Sequence, residues 1–250
     1  RLLNVSFGTA MLASGAAVLN QLLEREFDAR MKRTADRPIP SGRITPTVAL
    51  MLGAALSLVG LTWLLLAVNP LTAILGAATW ACYVAVYTPL KRLTVLNTVV
   101  GAVPGALPPL MGWSAATDSI SAPGWALFGI LFFWQLPHFM AIAWLYREDY
   151  SGAGFKMLSG VDPDGRRTAA SAVRNTIALM GVSLFPFQFG LVGPLYLVGA
   201  VLLGIGFLLP AVVFARTLTA KAARRLFFAS ILYLPLLLGL LVVDKRVPSL

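Results

Sequence analysis

The amino-acid sequence predicts an all-α, polytopic membrane protein, that is, a bundle of membrane-spanning helices. Of its 250 residues, 58% are hydrophobic and only 12% are charged, about half of the roughly 25% charge that a soluble domain carries. Charge is also absent from long runs, and a helix needs about 20 mostly apolar residues to cross a bilayer. These runs are 2–23, 44–90, 93–117, 119–146, 175–215 and 226–243. The pattern excludes a soluble globule and a disordered chain.

The spans can be counted because two of the runs are too long for a single crossing. The run 44–90 is interrupted by Asn69-Pro70, and the run 175–215 breaks near Gly190–Pro194, both of which are turn signals. Eight spans result. They lie at roughly 2–23, 46–68, 71–88, 95–113, 122–145, 171–190, 195–215 and 225–243.

The basic residues predict the orientation of these spans. If eight spans alternate, every Lys and Arg except Arg1, Lys245 and Arg246 falls on one face of the membrane. Basic loops stay in the cytoplasm, so we expect that face to be cytoplasmic and both ends of this chain to lie outside. The formal net charge of +10 then indicates contact with the anionic lipid of the bilayer and no nucleic-acid partner.

The charge pattern also repeats along the chain. Each half has a helix, a loop of mixed charge, an uncharged hairpin, a basic loop and a further helix, in the same orientation. We therefore predict a single transmembrane domain over 1–250, with two pseudo-repeats at about 1–115 and 120–250. Such a repeat would bring loop 24–45 across from loop 146–170.

Acidic residues are concentrated around those two loops and suggest a metal site. Asn20, Glu24 and Asp28 follow one another at intervals of four residues, which places three oxygen-bearing side chains on one helix face. Such oxygens suit Mg²⁺, which binds one or two carboxylates and completes its coordination with water and phosphate oxygens. The second loop contributes Glu148 and Asp149. The pattern favours a metal-diphosphate site; the alternative is a solvated helix end whose acids balance the basic loop.

Three further residues, His138, Tyr146 and Tyr150, have two interpretations each. An ionisable residue inside a span is functional by default, and His138 is the one histidine of the sequence; the alternative is a buried, hydrogen-bonded histidine. Tyr146 and Tyr150 follow the same predicted span, where aromatic residues form interfacial belts. They could instead line a cavity for a polyprenyl tail or stabilise a carbocation through cation–π contact.

These segments resemble the intramembrane aromatic prenyltransferase superfamily and, within it, the protoheme IX farnesyltransferases, also called heme O synthases. The resemblance spans residues 15–170 or so and begins with Asn20-x-x-x-Glu24-x-x-x-Asp28. The other motifs that carry it are Met31-Lys-Arg-Thr34, Arg37-Pro-Ile-Pro-Ser-Gly42, Tyr87-Thr-Pro-Leu-Lys-Arg92, Pro108-Pro-Leu-Met-Gly-Trp113, Trp134-Gln-Leu-Pro-His-Phe139, Tyr146-Arg-Glu-Asp-Tyr150 and Gly154-Phe-Lys-Met-Leu158. The superfamily commonly has Asp at the position of Glu24, and a DxxxD motif in place of the segment Tyr146 to Tyr150.

The resemblance implies an activity and a set of site residues. It implies Mg²⁺-dependent transfer of a farnesyl group from farnesyl diphosphate to a vinyl group of heme B at the cytoplasmic end of the bundle. The superfamily bundle has nine helices, so one helix is expected before residue 1. The implied metal ligands are Asn20, Glu24, Asp28 and Asp149, which together with Glu148 are also the implied catalytic residues. The implied substrate-binding residues are Arg37, Lys91, Arg147 and Lys156 for the diphosphate, and Tyr146, Tyr150 and His138.

The resemblance also implies partners and a location, and it leaves other functions open. The expected partners are farnesyl diphosphate, heme B, the lipid bilayer and a downstream heme-modifying enzyme, in a bacterial inner membrane rather than a mitochondrial one. One alternative is a quinone- or chlorophyll-type polyprenyltransferase of the same superfamily. The other is a membrane transporter, in which parallel repeats also occur. The carboxylates crowd one end of the spans instead of the midplane, which disfavours the transporter.

Overall fold

The computed structural model describes residues 1–246, and the regular secondary structure of that part of the chain is helical. Its helices are α1 (Leu2–Asp28), α2 (Pro46–Ala67), α3 (Pro70–Ala81), α4 (Thr88–Leu93), α5 (Asn97–Thr117), α6 (Ala122–Leu145), α7 (Arg147–Gly152), α8 (Arg166–Val182), α9 (Phe185–Gln188), α10 (Pro194–Thr217) and α11 (Ala220–Val243). A π-helix, Cys82–Tyr87, joins α3 to α4, and a 3-10 turn, Leu158–Gly160, precedes α8. The predicted all-α membrane fold is confirmed.

Each of the eight predicted spans corresponds to a helical segment, and within residues 1–246 seven of them are long and apolar enough to cross a membrane. The remaining one is the predicted span 171–190. There, α8 has 17 residues and ends at Val182, before the short α9. At about 1.5 Å per residue, α8 is roughly 26 Å long, slightly less than the about 30 Å of a bilayer's hydrocarbon core.

The break predicted at Asn69-Pro70 is confirmed, and the Asn69 side chain explains it. The side-chain oxygen of Asn69 accepts a hydrogen bond of 2.7 Å from the backbone N–H of Thr72 and so caps α3. Pro70 occupies the first helical position, where its missing N–H removes no helical bond. The Asn69 amide also donates to the backbone carbonyl of Ser114 and to Asp118. This turn is therefore tied to the end of α5.

The chain divides into two compact units. Unit 1 comprises Arg1–Ile120 and Glu148–Met157, and unit 2 comprises Ser121–Arg147 and the residues from Leu158 onward. In unit 1, α1 packs closely along α2 through glycines. A Cβ atom on Gly15 would lie 2.3 Å from the hydroxyl of Ser57, and one on Gly60 would lie 2.5 Å from the backbone nitrogen of Leu12. Small residues thus let the two helices approach each other, as is common in membranes. The pseudo-repeats stay a prediction.

Unit 2 has a core of large aromatic side chains between α6, α8, α10 and α11. Phe207, Phe214, Tyr196 and Tyr233 are all buried. The two phenols find polar partners at Ser183: the Tyr196 hydroxyl donates to its backbone carbonyl at 2.9 Å, and the Tyr233 and Ser183 hydroxyls lie 2.8 Å apart. These bonds satisfy polar groups where α8 ends.

The start of α8 is held by Asp162. Its carboxylate accepts hydrogen bonds from the backbone N–H of Thr168 at 2.7 Å and from the hydroxyl of the same residue at 2.8 Å. Burial opposes the ionisation of Asp162, but the hydrogen bonds that it receives, led by those from Thr168, together lower the pKa of this carboxyl below its ordinary value.

The π-helix Cys82–Tyr87 is the one irregular segment within the predicted span 71–88. Single π-turns are rare and are frequently found at functional sites. The segment brings the ring of Tyr87 against α5 at Gly101, where a Cβ atom would lie 2.4 Å from the ring. Gly101 therefore makes room for Tyr87, which matters because Tyr87 lines the candidate site.

Candidate active site

The predicted acidic face of α1 is buried. The helix continues past the apolar run to Asp28, since Glu and Arg are good helix formers. Asn20, Glu24 and Asp28 are only 6%, 3% and 3% exposed. A solvated helix end, the alternative that the sequence left open, does not agree with this burial.

Glu24 receives two hydrogen bonds on one of its carboxylate oxygens. The ammonium of Lys91 donates to Oε2 at 2.9 Å, and the side-chain amide of Asn20 donates to the same oxygen at 3.0 Å. The other oxygen, Oε1, is buried and has no hydrogen-bond partner among the described residues. A buried carboxylate oxygen without a donor is unfavourable, so this atom is available to a ligand.

Asp28 forms a second ion pair at the end of α1. The guanidinium of Arg37 donates to its carboxylate at 2.7 Å. The chain after α1 folds back to allow this, because the buried hydroxyl of Thr34 donates to the backbone carbonyl of Asp28 at 2.8 Å. Two carboxylates and two cations are therefore organised around the end of one helix.

These groups line a cavity of about 190 Å³ in unit 1. Its lining residues are Asn20, Glu24, Asp28, Met31, Arg33, Arg37, Tyr83, Tyr87, Lys91, Tyr150, Phe155 and Met157. The lining thus combines carboxylates, cations and an amide with aromatic rings. An anionic head group joined to an apolar chain fits a lining of this composition.

Three tyrosines and Phe155 form the aromatic part of the lining. The ammonium of Lys91 lies 4.6 Å from the ring centre of Tyr87, and the guanidinium of Arg33 lies 5.9 Å from that of Tyr150. Burial raises the pKa of the Tyr150 phenol, so it stays protonated at neutral pH. Sequence reasoning singled out Tyr150 but did not single out Tyr83 or Tyr87. The signal for Tyr87 was present in the motif Tyr87-Thr-Pro-Leu-Lys-Arg92.

Tyr150 reaches the cavity because the segment 150–157 packs against the rest of unit 1. The backbone N–H of Lys156 donates to the carbonyl of Lys91 at 2.8 Å, and the carbonyl of Lys156 accepts from the amide of Asn97 at 2.8 Å. Phe155 is buried and its ring lies 5.7 Å from that of Phe27. The expectation that the loop after residue 146 comes near the first loop holds for this segment.

The other predicted residues of the second acidic motif lie elsewhere. The described residues that line the cavity do not include Glu148, Asp149 or Lys156. Glu148 and Asp149 fall in the first turn of α7, where the helix dipole favours negative charge. Tyr146 and Arg147 belong to unit 2, and the Arg147 guanidinium lies 4.6 Å from the ring centre of Trp144. Their assignment to metal or substrate stays a prediction.

The donor atoms of the cavity fit Mg²⁺ with a diphosphate. Within residues 1–246, no three His, Cys, Asp or Glu side chains are close enough to form a complete metal site. Mg²⁺ does not need one, because it takes one or two carboxylates and fills its remaining positions with water and phosphate oxygens. Glu24 and Asp28 offer two carboxylates, and Glu24 Oε1 has no hydrogen-bond partner within the part of the chain that the structure describes.

His138 lies in unit 2, stacked against two aromatic rings. The ring centres of Trp134 and Phe227 are 5.2 Å and 5.0 Å from that of His138. Its Nδ1 lies 2.7 Å from the hydroxyl oxygen of Ser230, and this hydroxyl is 2.5 Å from the backbone carbonyl of Phe227.

These two contacts define the tautomer of His138. A hydroxyl has one hydrogen, and two oxygens 2.5 Å apart repel each other unless that hydrogen lies between them. The Ser230 hydroxyl therefore donates to Phe227, and Nδ1 of the neutral imidazole donates to Ser230. The lone pair is left on Nε2, which can then act as a metal ligand.

Comparison with known protein families matches residues 1–232 to the UbiA prenyltransferase family. A curated protein from Solibacter usitatus, named protoheme IX farnesyltransferase, is 51% identical over 245 residues, which is 98% of this chain and 84% of that protein. A protein of the same name from Opitutus terrae is 49% identical over 239 residues, 95% of this chain and 81% of that protein. The resemblance seen in the sequence motifs is thus confirmed.

Two solved structures share the fold. One comes from work on digeranylgeranylglyceryl phosphate synthase in membranes, with a TM-score of 0.81 and 18% identity over 97% of this chain and 84% of that one. The other is the apo structure of a UbiA homolog from Aeropyrum pernix K1, with a TM-score of 0.76 and 19% identity over 96% of this chain and 88% of that one. Both agree with the predicted helical membrane bundle.

These findings establish the class of the protein. Seven apolar helices within residues 1–246 indicate an integral membrane protein, and bacterial relatives at 51%, 49% and 48% identity favour a bacterial inner membrane. The protein is an enzyme, a prenyltransferase, and the transporter alternative is wrong. On its matched residues, its relatives and its fold, the chain belongs to the UbiA prenyltransferase family.

Proposed function

We propose that the protein transfers a farnesyl group from farnesyl diphosphate to a vinyl group of heme B, with addition of water, and so makes heme O. The relatives named protoheme IX farnesyltransferase, one of them 51% identical to this chain, support this acceptor. The observation that carries the proposal is one cavity in which buried Glu24 and Asp28 are paired with Lys91 and Arg37. We further propose that the reaction requires Mg²⁺ and takes place at the cytoplasmic end of the bundle.

Asn20, Glu24 and Asp28 would hold Mg²⁺ together with oxygens of the diphosphate. The unpartnered Oε1 of Glu24 supports this assignment, because a cation would stabilise a carboxylate oxygen that has lost its water. Bound Mg²⁺ would neutralise the negative charge of the departing diphosphate. The sequence resemblance alone supports a place in the farnesyl diphosphate site for Asp149, Glu148, Arg147 and Lys156.

Arg37 and Lys91 would bind the diphosphate. Arginine presents parallel N–H donors that match phosphate oxygens, whereas lysine contributes a compact charge. Both cations are already fixed beside the cavity, at 2.7 Å and 2.9 Å from Asp28 and Glu24. Because these groups are preorganised, little reorientation is needed when negative charge develops on the leaving group.

The chemistry is an ionisation followed by capture of a carbocation. The bond between the first farnesyl carbon and the diphosphate oxygen breaks, and the diphosphate leaves with the electron pair. The terminal carbon of the heme vinyl group attacks the allylic cation and forms the new carbon–carbon bond, which leaves positive charge on the vinyl carbon next to the ring. Water adds to that carbon and loses a proton, which gives the hydroxyl group of heme O.

The aromatic lining would protect the allylic cation before the vinyl group attacks it. The rings of Tyr83, Tyr87 and Tyr150 offer π faces that stabilise a cation. Burial raises the pKa of Tyr150, so this residue presents a neutral phenol instead of a phenolate that would capture the cation. A lining that excludes water also prevents hydrolysis to farnesol.

His138 would bind the iron of heme B. Its Nε2 carries the lone pair because Nδ1 donates to Ser230, and neutral imidazole is a common axial ligand of heme iron. The sequence has one histidine, so the chain has no second imidazole to replace it. Tyr146 stays a predicted substrate contact.

Parallel incubations with two acceptors test the proposal. Detergent-purified protein with farnesyl diphosphate and Mg²⁺ should farnesylate heme B and leave a 4-hydroxybenzoate quinone precursor unchanged. Asp28→Asn should lower the rate by more than about 10²-fold because it removes charge that acts in the transition state. Asp36→Asn, an exposed position in the same loop, is the matched control and should keep the wild-type rate. Farnesylation of the quinone precursor instead of heme would support the polyprenyltransferase alternative.

A further inference from the structure

Thr88 stands directly after the π-helix and is completely buried, at 0% exposure. Both its backbone N–H and its hydroxyl donate to the carbonyl of Tyr83, the hydroxyl at 2.8 Å. A hydroxyl has a single hydrogen, and that of Thr88 is committed to this carbonyl. The hydroxyl oxygen of Thr88 can therefore only accept a further hydrogen bond.

The partner of this oxygen is the side chain of Asn20. The Asn20 amide nitrogen lies 3.0 Å from the Thr88 hydroxyl oxygen and 3.0 Å from Oε2 of Glu24. Both acceptors require an N–H, so the two hydrogens of the amide are used. The amide oxygen, Oδ1, is left as the atom that Asn20 can offer to a ligand of the cavity, and within the described residues it accepts no hydrogen bond.

We propose that Thr88 is a positioning residue that fixes the amide of Asn20 with its oxygen free for the divalent cation. This inference rests on the proposed function, which makes Asn20 a ligand of Mg²⁺. If the amide were reversed, two N–H donors would be presented to the cation and the oxygen would face the oxygens of Glu24 and Thr88, which repel it. The committed hydroxyl of Thr88 excludes that orientation.

The π-helix supplies the geometry for this arrangement. In a regular α-helix a threonine hydroxyl donates to the carbonyl four residues earlier, but here the acceptor is Tyr83, five residues earlier. The same segment carries Tyr83 and Tyr87 into the lining of the cavity. The irregular turn thus orders the amide ligand and the aromatic lining together.

The test measures metal binding directly, without turnover. Mn²⁺ replaces Mg²⁺, and its binding to the purified protein in the presence of inorganic diphosphate is followed by electron paramagnetic resonance. Thr88→Val keeps the shape and removes the hydroxyl, and it should weaken Mn²⁺ binding by about 10-fold or more, as loss of a group that orients a metal ligand generally does. Thr88→Ser retains the hydroxyl and should bind within about threefold of wild type.

Thr88→Val in an Asn20→Asp background distinguishes an effect on the orientation of the Asn20 amide from an effect on packing. A carboxylate presents oxygen in either orientation, so Thr88→Val should change Mn²⁺ binding there by less than about threefold. An equal loss in both backgrounds would overturn the inference, since Thr88 would then act only on packing. Wild-type Mn²⁺ affinity in Thr88→Val would also overturn it. If that variant does not fold, Thr88→Ala is measured in its place with the same expectations.

Failure of this inference is distinguishable from failure of the proposed function. If the wild-type protein binds no Mn²⁺ with diphosphate, the metal-diphosphate site and the role of Thr88 both fall. If Mn²⁺ binds and depends on Thr88 as expected, but heme B is not farnesylated, the acceptor is wrong and the role of Thr88 is supported.

Discussion

Loss of the positive charge at Lys91 should destabilise the protein more than loss of the negative charge at Glu24, its ion-pair partner. The two side chains are 2.9 Å apart, and Lys91 is 12% exposed whereas Glu24 is 3% exposed. With an effective dielectric constant of about 20, their attraction is about 6 kcal/mol. Much of this attraction only offsets the loss of water around the two ions. The consequence of breaking the pair therefore depends on which ion remains buried.

Lys91→Met leaves a buried carboxylate without a cation, which costs about 3–5 kcal/mol of unfolding free energy. Glu24→Gln leaves an ammonium group that can reach water in the cavity, so its cost is smaller, about 1–2 kcal/mol. The double variant removes both charges and should lie within about 1–2 kcal/mol of wild type. The coupling between the two sites should then be at least about 2 kcal/mol.

Thermal unfolding in one fixed detergent, followed by circular dichroism, measures these differences. For a chain of this length about 1 kcal/mol shifts Tm by roughly 2–4 °C, so Lys91→Met should unfold about 6–20 °C below wild type. The double variant should recover most of that difference. Lys32→Met, at an exposed basic position, should stay within about 0.5 kcal/mol of wild type. A double variant as unstable as the sum of the two single variants would refute the ion-pair reasoning.

Three other predictions concern the acceptor, unit 2 and the membrane orientation. His138→Ala should weaken the Soret shift on heme B titration and raise the KM for heme but not for farnesyl diphosphate. Ser230→Ala should have the same effects to a lesser degree. Identical heme titrations of wild type and His138→Ala would contradict iron ligation. Asp162→Ala should destabilise the protein by about 1–3 kcal/mol at neutral pH, because it leaves a buried N–H and a hydroxyl unpaired. The pKa of Asp162 is lower in the folded state than in the unfolded state. This stabilisation is therefore complete above about pH 4 and is lost as the pH falls through the folded-state pKa. The denaturation curves of wild type and Asp162→Ala should converge in acid. In a background without the native cysteine, a thiol at exposed Ser119 should react with an impermeant reagent in whole cells and one at exposed Ser41 should not; reaction at both would overturn the predicted topology.

Features that depend on local periodicity could be predicted from the sequence. The apolar runs and the turn at Asn69-Pro70 identify the helices, since length and a proline at the first helical position decide where each begins. The four-residue spacing of Asn20, Glu24 and Asp28 likewise gives a shared helix face wherever the helix lies. The burial of this face and the ion pair between Glu24 and the distant Lys91 could be known only from the folded structure.

Features that depend on packing between distant segments could not be predicted. The segment 150–157 reaches the cavity with Tyr150, while Asp149, one residue earlier, lies outside the lining. Nothing in the spacing of these residues distinguishes them, because the segment is placed by contacts with distant parts of the chain, such as the hydrogen bond from the Lys156 N–H to the Lys91 carbonyl. Tyr83 lies in the π-helix Cys82–Tyr87, and the apolar pattern of the span does not predict a π-helix there.

The most direct test of farnesyl transfer to heme B is the mass of the heme recovered from one reaction. Purified protein is incubated with heme B, farnesyl diphosphate and Mg²⁺ in water enriched in the heavy oxygen isotope, and the extracted heme is examined by mass spectrometry. We expect one new heme, heavier than heme B by one farnesyl group and one hydroxyl group that carries the heavy isotope. Heme B recovered unchanged beside farnesol, or a farnesylated heme without the labelled hydroxyl, would contradict the proposed reaction.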